Sequence, residues 1–344
     1  MKYDIFHVLN EVDDKYIIEA GQCIESKNKN LMYRWRYALG TAAAIVFVIV
    51  LNITNPVFAR NIPFIGNVFE YLQTKLDFSG AYDKYSTDVE MTAKSNGITV
   101  TIKETYCDGE NLFVSYQIES DKAFSDYTDE TYLQTQLDFD GAIYVTDEGE
   151  NLKIDDFGVA GLEGEFVDEY TFIGVDTIRL EEGEFPDEFT YGIQTYRWNL
   201  ILNNGSEKAI KGYWDLSVTV TANREDVETI AVNATEQQHN IDKVVVSPIM
   251  VTIYTSYPEI YNDSVNYEVV VFSDKSEENI NFQACYGNTE GKTWIPRNMV
   301  GDSLDIYVVD YSTFTLKGAA AYAKEEIEKH AIVSTHINLT TNQE

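Results

Sequence analysis

Three rhythms of hydrophobic and polar positions succeed one another along the chain. Near the amino terminus Phe6, Leu9, Tyr16, Ile17, Ala20 and Ile24 fall on steps of three and four, a helical stripe that Asp13 interrupts. Residues 37–59 then carry no charge, and Ile45, Val46, Phe47, Val48, Ile49, Val50 and Leu51 form an unbroken apolar run inside them. A helix rises about 1.5 Å per residue, so roughly 20 residues cross a hydrocarbon core of ~30 Å. The run predicts one transmembrane helix, a membrane anchor ended by Pro56. Beyond it the period drops to two, beginning where Ile98, Val100 and Ile102 alternate with Thr99, Thr101 and Lys103.

Between span and alternation, Ile65, Val68, Phe69 and Leu72 recur at helical spacing after Pro63, predicting a short amphipathic helix that packs under a β domain or lies on the membrane. After the turn Asp108-Gly109-Glu110 the alternation resumes in Leu112, Val114, Tyr116 and Ile118, a β-hairpin with one buried face. Further strands are predicted at 142–146, 172–180, 190–202 and 213–221, then at 227–235, 244–257, 266–272, 281–286, 304–309 and 331–339. Pro248 marks a bulge or an edge position within the strand 244–257. Residues 317–330 read as a short helix, with Glu325 and Lys329 paired at i,i+4. The expected architecture is mainly β, with a short helical tail (1–36), one transmembrane helix (37–59), and a juxtamembrane amphipathic helix with its connector (60–81). Two β-sandwich, immunoglobulin-like domains follow (82–224 and 225–344).

The charges sharpen this division. Residues 1–36 hold six basic and six acidic side chains, whereas the chain from Arg60 on holds 19 basic and 51 acidic ones, so the whole net charge of −32 lies beyond the span. Lys27, Lys29, Arg34 and Arg36 immediately precede the span. By the positive-inside rule the amino terminus is cytoplasmic and the β domains are extracytoplasmic, in the cell membrane. Val57-Phe-Ala59 also satisfies the small-residue pattern of a cleavage site, which leaves a cleaved leader as the rival to a retained anchor. An exterior this acidic argues against nucleic acid as a partner, because phosphate binding needs basic patches. Of three cysteines, Cys23 precedes the span, and Cys107 and Cys285 are the only candidates for an outer bridge; lone cysteines are more often small buried apolar residues.

Candidate chemistry is sparse. Only His239, His330 and His336 lie beyond the span, and no His-Glu-x-x-His, Gly-x-Ser-x-Gly or Cys-x-x-Cys spacing occurs. The acidic clusters at Asp138 to Asp140, Asp147 to Glu150, Asp155-Asp156 and Glu181 to Glu184 lack the ligand order of a calcium loop and are expected to be solvated turns. No enzyme activity, cofactor or metal is expected.

The run Thr54-Asn-Pro-Val-Phe-Ala-Arg-Asn-Ile-Pro-Phe-Ile-Gly-Asn-Val-Phe-Glu70, followed by the strands 95–102 and 112–120, resembles the Gram-positive membrane-anchored family of domain of unknown function 4179. The stretch 242–254 is similar to the opening strand of that family's usual C-terminal partner domain, and 12–20 resembles a short element found before the span in related proteins. The resemblance implies an extracytoplasmic β module on a single anchor, of anti-sigma-factor type. The chain departs from that pattern in its tail, which is shorter than a multi-helix sigma-binding domain and has no His/Cys zinc constellation.

Two functions follow as expectations. In the first, the outer domains sense an envelope condition through an unknown extracytoplasmic ligand. The tail then relays it by protein–protein contact to a cytoplasmic sigma factor or other regulator, with Phe6, Leu9, Tyr16, Ile17 and Ala20 as the partner-binding face. In the second, the protein is a cell-surface binding or structural module with no signalling role, and its tail only secures insertion into the lipid bilayer.

Overall fold

The computed structural model describes residues 68–69, 82–127, 136–154, 162–202, 205–258, 267–276, 278–280, 283–286, 289–314 and 322–339. The tail stripe with Phe6, Leu9, Tyr16, Ile17 and Ala20, and the apolar run Ile45 to Leu51, lie outside the described residues. Among the described residues no helix is long and apolar enough to cross a membrane.

The chain is mainly β. A short helix α1 (Tyr82–Tyr85) leads into β1 (Thr87–Ser95), β2 (Ile98–Cys107), β3 (Asn111–Ser120), β4 (Gln136–Asp147), β5 (Glu150–Leu152), β6 (Glu163–Phe166), β7 (Thr171–Arg179), β8 (Glu188–Ile201) and β9 (Glu207–Thr221). Then come β10 (Glu228–Glu236), β11 (His239–Val246), β12 (Met250–Ser256), β13 (Tyr267–Ser273), β14 (Gln283–Tyr286), β15 (Glu290–Pro296), β16 (Ser303–Asp310), helix α2 (Lys324–His330) and β17 (Ala331–Asn338). The first nine strands make two sheets, ordered β1-β2-β3-β7-β6 and β5-β4-β8-β9. The remaining eight make two more, β10-β11-β12-β15-β14 and β13-β16-β17.

Alternation explains how the sheets pair. Ile98, Val100 and Ile102 on β2, and Leu112, Val114, Tyr116 and Ile118 on β3, meet Phe189, Tyr191, Ile193, Trp198, Trp214 and Leu216 of the facing sheet in one core. The later strands do the same, with Val244, Val251 and Ile253 packing against Val269, Val271, Ile306 and Val308. The outer face of the three-stranded sheet is covered by α2, whose Ile327 is fully buried among Val270, Phe272, Tyr307 and Val309.

Several expectations change. The strand 244–257 is two strands, because Pro248 lies in the turn between β11 and β12, where the Ser247 hydroxyl accepts from the Met250 amide at 3.0 Å. Helix α2 begins at Lys324, and Lys329 pairs with Glu326 at 2.9 Å, where Glu325 was expected. Asp138 and Asp140 stand within β4, so that cluster is not a turn. Cys107 is a free, fully buried core thiol whose pKa burial raises.

Candidate functional site: the junction around Glu104

The point of interest is where the chain from the predicted span enters the β structure. A β-bulge makes it. Along β2, Ile98, Val100 and Ile102 face the core, but the register shifts between Ile102 and Glu104, which turns Glu104 and Tyr106 onto the opposite face. There Glu104 pairs with Ser115, and Tyr106 with Phe113. The helical residues Val68 and Phe69 lie on this face, both fully buried, in a cluster with Tyr85, Tyr106, Phe113, Ile173, Val175, Ile249, Met250 and Trp294.

Glu104 fastens that segment. Its Oε2 accepts from the Val68 amide at 3.1 Å, the Phe69 amide at 3.3 Å and the Ser115 hydroxyl at 2.6 Å. Oε1 is buried with no hydrogen-bond partner. Two adjacent backbone amides converging on one carboxylate oxygen make an anchored contact between the segment and the β2–β3 face. Burial raises the Glu104 pKa, the Ser115 and amide hydrogen bonds oppose the rise, and Asp88 adds to it.

The same junction joins the two β halves. Arg179, nearly fully buried, donates from Nε to Asn111 Oδ1 at 3.0 Å and lies 4.2 Å from the ring centre of Trp294. The buried Glu110 accepts from the Tyr254 hydroxyl, and Lys243 lies 3.8 Å from Glu110 and 3.3 Å from Glu184. Asp108 Oδ1 accepts from the Glu110 and Asn111 amides at 2.9 and 2.7 Å, and burial raises its pKa against those bonds and one to Ser247. Gly109 must be glycine, since its φ is +97° and a Cβ would lie 2.9 Å from Arg224 Nε. Arg224 donates to the Phe185 carbonyl at 2.7 Å, and the Asn223 amide to the Cys107 carbonyl at 2.8 Å, so the connector after β9 is bonded to the hairpin turn. Lys84 reaches Asp226 at 3.0 Å, and Tyr85 donates to the same carboxylate, tying α1 to that connector.

The arrangement is a mechanical joint. Among the described residues no group of three or more His, Cys, Asp or Glu is placed to hold a metal ion. His330 and His336 are exposed and lie beside Glu326 and Asp305, at 3.3 and 2.8 Å. His239 packs edge-on to Tyr267, with ring centres 4.5 Å apart. The expected amphipathic helix is described at Val68 and Phe69, which are buried as its stripe requires; Ile65 and Leu72 lie outside the described residues. Glu104 itself was not anticipated, although a charged residue in the next inward position after Ile98, Val100 and Ile102 is a sequence signal of a bulge.

A search of curated proteins returns no match. Among solved structures, the conserved domain protein from Bacillus anthracis is similar in fold, with 18% identity, a TM-score of 0.51, and coverage of 81% of this chain and 100% of that one. A marsupial T cell receptor, at 12% identity and a TM-score of 0.17, covers 66% of this chain and 94% of its own and carries no argument. The chain carries, at residues 32–120, a match to the family described as domain of unknown function DUF4179, a stretch that contains Val68, Phe69 and the bulged hairpin with Glu104.

Proposed function

We propose that the protein is a single-pass membrane regulator of anti-sigma-factor type. Immunoglobulin-like β domains on the outer side respond to an envelope condition, and the tail acts on a cytoplasmic partner. The supporting observation is the seating of Val68 and Phe69 on the bulged β2–β3 face under Glu104. Val68 and Phe69 are hydrogen-bonded to the first β half and packed with Ile249, Met250 and Trp294 of the second, so a movement of either half reaches this segment. A flexible tether would dissipate such a movement.

The test is in-membrane photo-crosslinking of the full chain from position 17 in the tail. Capture of a sigma factor or another cytoplasmic regulator, lost in Phe6→Asp, is the expected result. Crosslinks to lipid alone overturn the proposal and leave the surface-module reading.

A further inference from the structure

The outward face of the sheet β5-β4-β8-β9 carries two of the four exposed large hydrophobic residues among those described, Tyr196 and Tyr213. Cross-strand rows on it set Tyr144 beside Gly192 and Ser217, and Ala142 beside Gln194 and Asp215. The small residues leave a flat floor. A Cβ on Gly192 would lie 2.0 Å from the Tyr144 ring, so the half-buried ring sits over that glycine. At the next positions along the sheet a bulge between Thr195 and Arg197 presents Tyr196, which packs against Tyr213 with ring centres 5.7 Å apart and planes 37° apart. These two tyrosines are 57% and 51% exposed, the most exposed large hydrophobic residues described.

The polar groups around the rings are oriented and nearly charge-neutral. Asp215 accepts from Tyr213 and from Gln194, each at 3.2 Å, and Arg197 is paired with Asp140. Exposed aromatic rings cost solvation and are usually retained where something covers them. Ring faces carry partial negative charge and attract weakly positive C–H groups, while the amide, carboxylate and hydroxyls at the rim offer in-plane hydrogen bonds. A chain with a net charge of −32 disfavours a polyanion. The locally balanced charges give a polycation little to hold. An uncharged ligand with flat C–H faces and hydroxyl edges matches all of these features.

We infer that this face is a carbohydrate-binding surface for an uncharged, extended glycan, with Tyr144, Tyr196 and Tyr213 as stacking platforms and Gln194 and Asp215 as hydroxyl partners. The site rests on surface chemistry alone and is independent of any signalling by the tail.

The experiment titrates the detergent-solubilised full chain with three oligosaccharides, the hexamers of β-1,4-linked N-acetylglucosamine, glucose and mannose, and with hexalysine as the cationic alternative, using calorimetry. At least one sugar is expected to bind, with Tyr144→Ala and Tyr213→Ala each weakening it roughly ten-fold or more, the loss of one stacking contact. Met299→Ala, at an exposed apolar residue on another surface, is expected to bind as the parent does. Unchanged thermal unfolding of the tyrosine variants separates lost binding from lost folding. Gln194→Ala gives a second reading at a side chain with no packing role in the core. Binding of hexalysine without any sugar, no binding at all, or sugar binding indifferent to Tyr144 and Tyr213 overturns the inference.

Discussion

Asp176 sits on the core-facing side of β7, 1% exposed, with Oδ2 buried and without a hydrogen-bond partner. Burial pushes its carboxyl up to about 7, the Asp138 and Glu163 charges add to the rise, and the Thr177 backbone bond and Arg179 oppose it. The folded state therefore holds a proton that the unfolded chain releases near 3.8, and stability falls as pH rises from about 4 to about 7. Thermal unfolding of Asp176→Asn should show a flatter profile across that window and a higher midpoint above it. An unchanged profile would mean that the carboxylate is solvated in the native state. The residue gave no warning in the sequence, since Asp176 follows Val175 in what reads as an ordinary strand. A polar residue on an inward position becomes visible only when the register is known.

Elements were legible in proportion to their burial. Strands with a continuous apolar face, such as β3 and β7, follow from alternation almost to their ends, whereas β9 was read only from Tyr213 because its first six residues bury Ile210 alone. Strand β1 was not anticipated because Thr87 to Ser95 is an edge strand exposed along most of its length, with little apolar face to read. Strand β15 escaped because its apolar content is confined to Trp294 and Ile295 before Pro296. Helix α2 was legible from composition, but the surface it covers was not, since the sheet beneath is built from three separate strands. Ile327→Ala removes the one fully buried α2 side chain and should cost roughly 2–5 kcal/mol. Urea unfolding followed by tryptophan fluorescence measures this, and a change under 1 kcal/mol would show that α2 is only loosely applied.

At the scale of the molecule the junction joins the two β halves and the segment Val68–Phe69. Trp294→Ala removes the ring against Arg179 and the segment cluster, and a loss of about 3–5 kcal/mol is expected if both halves unfold together. A two-step calorimetric transition in that variant would mean that the ring is what couples the halves, and a single transition that other contacts also hold them together. Glu104, Asp108 and Glu110 all have raised pKa values, caused first by burial. Each protonates more readily in the closed junction than in an open one, so the junction gains stability as pH falls through those raised values and loses it as pH rises. The exposed Asp226 opposes this trend, because its bonds to Tyr85 and Lys84 lower its pKa. The sequence exposed the charge asymmetry and the buried pair Val68 and Phe69. It could not reveal the carboxylate that receives them, since that depends on a one-residue shift in β2.

Hydrogen exchange of the Val68 and Phe69 amides in the full chain reads the hold of Glu104 on this segment. Both are expected to exchange as slowly as the β2–β3 ladder, Glu104→Ala to speed them by roughly 10- to 100-fold, as the loss of buried hydrogen bonds implies, and the ladder to stay protected. Glu104→Gln, which keeps an acceptor oxygen, should restore most of the protection. Fast exchange of these two amides in the parent protein would mean that Glu104 does not hold the segment on the β2–β3 face.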